Sequence, residues 1–186
     1  MRRWALTLLL ALILASPVLV ACSGQSDWQK HNDAAIAALK KGDLGTAEVK
    51  LREAVYEAKK FGDADPRLAA NLNNLGSVYF LQGNYAAAEA FYERALRIRQ
   101  KMLKPLDLDL ATSLFNMGSL RARQNRLEEA AQLYRQALEI QEQVLGPEHE
   151  YLAALLEKYA ESLRGTSRYQ EARAAEERAR KIKERG

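Results

Sequence analysis

Leu68–Ile98 reads LAANLNNLGSVYFLQGNYAAAEAFYERALRI, and Leu110–Ile140 reads LATSLFNMGSLRARQNRLEEAAQLYRQALEI. Laid one over the other, the two stretches agree at an offset of 42 residues: Leu68 with Leu110, Leu72 with Leu114, Asn74 with Asn116, Gly76 with Gly118, Gln82 with Gln124, Ala88 with Ala130, Tyr92 with Tyr134, Ala95 with Ala137 and Ile98 with Ile140. A further copy follows, carrying Leu152, Leu156, Ala160, Tyr169, Ala172, Ala179 and Ile182, and a weaker one precedes, with Ala35, Gly42, Leu44, Ala47, Leu51 and Ala54. Fixed-period repetition of this length means a solenoid, in which each unit buries its apolar face against its neighbours.

Within each unit the period is helical. Leu72, Leu75, Gly76 and Tyr79 recur at spacings of three and four, as do Tyr85, Ala88, Tyr92, Ala95 and Leu96. Gly83-Asn84 and Gln124-Asn125 interrupt the pattern and read as turns. Asp65-Pro66 reads as an N-cap with proline at the first helical position, and Gly146-Pro147 as a helix stop followed by the next start. The spacing predicts helices over 27–41, 44–61, 66–82, 85–103, 108–124, 127–145, 148–164 and 168–184, paired into four hairpins: an all-α chain with no strand. Gly76 and Gly118 fall inside helices, where glycine costs about 1 kcal/mol against alanine. Their recurrence marks a site of close helix approach, expected against the small stripe Ala88, Ala95, Ala130 and Ala137 with Leu72, Tyr79, Tyr92 and Leu96 filling beside it.

The order of large residue, Leu-Gly, Tyr, then Ala, Tyr and Ala resembles the tetratricopeptide repeat. In the second unit these are Leu72, Leu75-Gly76, Tyr79, Ala88, Tyr92 and Ala95; in the third they are Leu114, Met117-Gly118, Ala130, Tyr134 and Ala137, with Arg121 departing at the first tyrosine position. The units exceed the usual length of about 34 residues by about eight, roughly two helical turns. With LNNLGSVYF and YRQALEIQEQVLGPEH, that length resembles the kinesin-light-chain-like subclass. The first and last units depart further, with Ala34-Ala35 and Tyr159-Ala160 in place of Leu-Gly, as capping units do. The resemblance implies an inner groove, lined by the first helix of each hairpin, that binds segments of partner proteins. It carries groove roles to Asn73, Ser77, Phe80 and Leu81, to Phe115, Ser119, Ala122 and Arg123, and at the ends to Asn32, Ile36, Leu39, Glu157, Glu161 and Arg164. Phe80 and Phe115 either form a binding patch or pack on the next hairpin. Arg123 either meets a partner carboxylate or covers a helix end. Asn74 and Asn116 either hydrogen-bond across the hairpin or read a partner backbone. The carboxylate clamp of co-chaperone members needs lysine and asparagine on these inner turns, and here Asn73, Ser77, Phe115 and Ser119 occupy the places.

At the N-terminus, Arg2 and Arg3 precede an apolar run from Trp4 to Val20 broken only by Thr7, Ser16 and Pro17, the layout of a secretory signal. It ends in Leu19-Val20-Ala21-Cys22, which resembles the lipobox of bacterial lipoproteins and implies lipidation of Cys22. The expected organisation is a signal peptide over 1–21, a lipidated tether over 22–26 and a repeat domain over 27–186, with repeats at 27–65, 66–107, 108–149 and 150–185. A plain signal peptide or an uncleaved anchor is the alternative; the run lies near the lower bound of roughly 17–25 residues needed to span a bilayer. Ser23 lacks the aspartate that resembles an inner-membrane retention signal, so the expected location is the outer membrane, facing the periplasm.

The formal net charge of +4 includes the two leader arginines, and acids and bases are interspersed with no basic block before the C-terminal RARKIKER, so no nucleic-acid partner is expected. With one cysteine there is no disulfide framework. The two histidines, His31 and His149, lie in a weak repeat and an inter-repeat turn. No HExxH, glycine-rich phosphate loop or Ser-His register appears, so no catalytic residue, metal, cofactor or small-molecule substrate is expected. The reading is a membrane-anchored adaptor that binds a protein or peptide in the cell envelope; the alternative is a structural or pilotin-like part of a secretion, pilus or cell-wall machine.

Overall fold

The computed structural model describes residues 26–102 and 106–185; the expected leader, Cys22 and all of the tether but Ser26 lie outside them. Among the described residues there are eight α-helices and no strand: α1 (Asp27–Lys40), α2 (Leu44–Lys59), α3 (Pro66–Leu81), α4 (Tyr85–Met102), α5 (Leu108–Arg123), α6 (Leu127–Leu145), α7 (Leu152–Gly165) and α8 (Tyr169–Arg185). They pair as α1·α2, α3·α4, α5·α6 and α7·α8, and the second helix of each hairpin packs on the first helix of the next. First helices also meet directly, α3 with α5 and α5 with α7, so they form one layer and the second helices the other. None of these helices is long and apolar enough to cross a membrane.

The turns explain the hairpins. At the end of each first helix one residue adopts positive φ: Gly42 (74°), Gly83 (77°), Asn125 (60°) and Ser167 (63°). The next amide then reaches back five residues, Asp43 N to Ala38 O at 3.0 Å, Asn84 N to Tyr79 O at 2.9 Å, Arg126 N to Arg121 O at 2.8 Å and Arg168 N to Leu163 O at 2.9 Å. This is the Schellman closure, repeated four times, and it satisfies carbonyls the helix end would otherwise leave free. Asp43 and Asn84 then cap the following helix by accepting from Thr46 N and Ala87 N. Serine is strained in the left-handed region, where glycine is not. Ser167→Gly is therefore expected to raise stability by about 0.5–1 kcal/mol, read as a higher melting temperature in circular dichroism.

Asp65 caps α3 and Pro66 opens it, as the sequence predicts. The expected start of α7 at 148 is corrected to Leu152. Gly146 has φ of 95°, and the chain continues as turns, with Leu152 N bonded to His149 O at 3.0 Å and the His149 ring accepting Tyr151 N–H at 3.3 Å. A histidine that accepts a backbone amide two residues on helps to hold the loop.

The core runs through the stack. One cluster joins Ala35 and Leu51 of the first hairpin to Leu75, Tyr79 and Tyr92 of the second and Leu120 of the third; another joins Leu114 and Tyr134 to Leu152, Leu156 and Ile182. Gly76 and Gly118 are contact sites, but not against the alanine stripe. A Cβ at Gly76 would lie 2.6 Å from the Tyr92 ring, and one at Gly118 would lie 2.8 Å from the Tyr134 ring. Each tyrosine lies flat on the glycine backbone and donates its hydroxyl to a serine one residue on, Ser77 or Ser119, at 3.1 Å.

Candidate functional site

Two features of the repeat junctions fix the first-helix layer on which the site lies. On one side, a carboxylate from α2 and another from α4 each accept from the next first helix. Glu48 takes the Tyr79 hydroxyl at 2.7 Å and Gln82 at 3.1 Å; one period on, Glu89 takes Arg121 at 2.6 Å and Gln124 at 2.9 Å. Arg121 thus does with a charged donor what the expected tyrosine does with a neutral one, which accounts for its departure from the pattern. The donors hold both carboxyls below the ordinary glutamate range, through the Tyr79 bond first at Glu48 and the Gln124 bond first at Glu89. A group whose pKa is lower folded than unfolded stabilises the fold above about 4.5, and that stabilisation is lost as pH falls through the folded value. Glu89→Gln is therefore expected to lower the melting temperature at about pH 7 and to flatten its fall between about pH 5 and 3, which thermal melts across pH will show.

On the other side, Asn116 Nδ2 donates to Asn73 Oδ1 at 3.1 Å, linking α5 to α3. This is a bond between repeats rather than across a hairpin. Asn73 is only 4% exposed, so its side chain belongs to the junction and does not face a groove.

The remaining expected groove residues divide. Phe80, Ser119 and Arg123 line one cleft of about 350 Å³ between α3, α5 and α7, together with Ala122, Leu127 and Tyr134 on one side and Lys158, Glu161 and Ser162 on the other. Ser77 and Phe115 are half-buried and lie outside this cleft. Ser77 donates to Asn73 O and accepts from Tyr92, and the Phe115 ring tilts on Tyr134 at 5.6 Å between centroids, packed against the core. Phe80, by contrast, keeps one face toward the cleft while its ring meets Tyr85 at 5.6 Å.

Why a cleft opens here follows from the register. Phe80, Ala122 and Arg164 occupy the same place in successive units, 42 residues apart. Ala122 is the small member and lines the cleft beside Phe80, whereas Arg164 pairs with Glu176 and does not line it. Its polar floor is already engaged: Ser119 donates to Phe115 O at 3.0 Å and accepts from Tyr134, and Ser162 donates to Lys158 O at 3.1 Å. Burial pushes the Tyr134 hydroxyl up, keeping it a neutral donor. Among the described residues no group of three or more His, Cys, Asp or Glu side chains is placed to hold a metal ion. The expected end-unit residues place differently: Glu161 joins the cleft, whereas Glu157 pairs with Lys183 and Arg164 with Glu176. His31 pairs with Glu53 at 2.8 Å on the first hairpin.

Leu127, Tyr134, Lys158 and Ser162 were not expected in the site. The first two come from α6, a second helix, and the others lie beside the expected face of α7. The size alternation Phe80–Ala122–Arg164 is the signal that points to them.

The tetratricopeptide repeat family model matches residues 29–101 and 109–185. Among solved structures, BtubC (BKLC) from P. vanneervenii is 19% identical with a TM-score of 0.75, covering 82% of this chain and 61% of its own. A putative kinesin light chain from Podosopora anserina with nearly identical TPR-like repeats is 22% identical, TM-score 0.67, covering 88% of this chain and 80% of its own. The apo form of RapI is 14% identical, TM-score 0.78, covering 99% of this chain and 66% of its own. At these identities the likeness is one of fold. This chain spans less than two thirds of the length of BtubC. No curated protein matches the chain by sequence.

Proposed function

Because this chain belongs to the tetratricopeptide repeat family, whose members bind protein or peptide partners, we propose that it is a non-catalytic adaptor tethered to a membrane of the cell envelope. The observation that supports docking is the cleft opened by Ala122 between Phe80 and α7. The tether rests on Leu19-Val20-Ala21-Cys22 and its preceding apolar run. In this reading Cys22 carries the lipid, Ser23 directs the protein to the outer membrane, and the four hairpins present their first-helix layer to a partner in the periplasm. One acyl chain alone holds a membrane only marginally, so the diacylglyceryl group implied by the lipobox is what makes the tether stable.

Two substitutions test the two halves separately. Ala122→Leu fills the cleft with a good helix former on a half-buried site. It is expected to abolish partner capture from envelope extracts while leaving the helical spectrum and melting temperature close to wild type. Unchanged capture would overturn the docking surface. Cys22→Ser is expected to abolish incorporation of labelled fatty acid and to leave the leader uncleaved. Unaltered processing, or no fatty-acid label on the wild-type chain, would overturn the tether and leave the docking surface standing.

A further inference from the structure

The charges around the cleft do not cancel. Lys158 and Glu161 neutralise one another at 2.9 Å, both on α7 and one turn apart. Arg164 and Arg168, the next cations along the chain, are held by Glu176 and by Glu171 and Glu128. Arg123 is different: it lines the cleft, is exposed, and among the described residues has no carboxylate partner. Its guanidinium stands where α5 ends, beside the apolar surfaces of Phe80 and Leu127. The Ser119 hydrogen is already given to Phe115 O, so the hydroxyl adds no free donor.

We propose that the cleft recognises an acidic side chain flanked by apolar ones, on an extended segment of the partner protein, with the Asp or Glu carboxylate on Arg123 and the apolar neighbours on Phe80 and Leu127. The inference rests on the cleft being the docking surface and adds what docks there. A guanidinium with five fixed donors and no acceptor matches a carboxylate in two-pronged geometry and rejects cations. The net positive charge left by Arg123 also steers acidic segments toward the cleft.

Selection of random dodecapeptides displayed on phage, against the full-length chain in detergent micelles, tests this. The wild-type protein is expected to enrich peptides with Asp or Glu beside Leu, Ile or Phe. A synthetic peptide from that pool should bind Arg123→Gln about tenfold more weakly, the loss of one charge-assisted contact at a partly exposed site. The charge reversal Arg123→Glu should turn the selection toward Lys and Arg. Enriched peptides without an acidic excess, or a spectrum unchanged by Arg123→Glu, would overturn the acidic specificity while leaving the docking surface intact. Enrichment no different between wild type and Ala122→Leu would overturn the docking surface as well.

Discussion

Tyr134→Ala is expected to cost about 3–5 kcal/mol, enough to unfold a marginal array. The side chain is 1% exposed, lies on Gly118 and donates to Ser119 at 3.1 Å, so its removal leaves a cavity and takes away the donor to Ser119. The sharper form of the prediction concerns Gly118. In the wild type, Gly118→Ala would press a Cβ to within 2.8 Å of a ring held by Phe115 and by its bond to Ser119, and the net effect is expected to be a loss of about 1–2 kcal/mol despite the better helix propensity. In the Tyr134→Ala background the same change should stabilise by up to about 1 kcal/mol, because only the propensity gain remains. Denaturant unfolding of the four proteins of this cycle measures both signs. A Gly118→Ala effect of the same sign in both backgrounds would show that the ring does not set the glycine.

Arg99→Ala is expected to cost about 3 kcal/mol. Arg99 is 4% exposed on α4, yet its guanidinium reaches α5, donating to Asp109 O at 2.7 Å and Ser113 Oγ at 2.5 Å, with the Asp109 carboxylate 3.7 Å away. It joins the second repeat to the third at the opposite end of α4 from the Glu89–Arg121 pair. Burial lowers its pKa, but guanidinium stays charged at any working pH, so alanine strands both acceptors without a donor. Arg99→Leu with Ser113→Ala should recover part of the loss by replacing the polar set with apolar packing. Since stability in a solenoid is a sum of repeat and interface terms, the loss should also broaden the unfolding transition as the two halves uncouple. Equilibrium denaturation gives both numbers, and a narrow transition at unchanged midpoint would remove Arg99 from this role.

The repeat, the hairpins and most helix ends were legible because each has a local cause: apolar period, Asp65-Pro66, Gly83 and Asn125 at the turns. What was not legible depends on neighbours 40 residues away. Asn73 reads as a groove residue from its place on α3, and only the arrival of Asn116 from the next repeat makes it a junction residue. Gly76 and Gly118 read correctly as contact sites, but helical spacing alone does not tell which residue of the partner helix comes closest, and it is the tyrosine rather than the alanines. Phe80 and Phe115 differ by about two turns in the register of otherwise matching helices, which places the first on the cleft and the second against Tyr134. The start of α7 moved because the chain after Gly146 runs on as turns, with Leu152 N bonded to His149 O and the His149 ring accepting the Tyr151 amide.

The central claim is that partners dock on the first-helix cleft rather than on a more apolar hollow between α6, α7 and α8, lined by Leu138, Leu156 and Ala174. A photo-crosslinking residue placed at Lys158 in one variant and at Ala174 in another, in the full-length protein in its own membrane, decides between them. The account predicts a larger cross-linked species from position 158, lost on adding Ala122→Leu, and none from position 174. A species from position 174 that survives Ala122→Leu, with none from position 158, would contradict it.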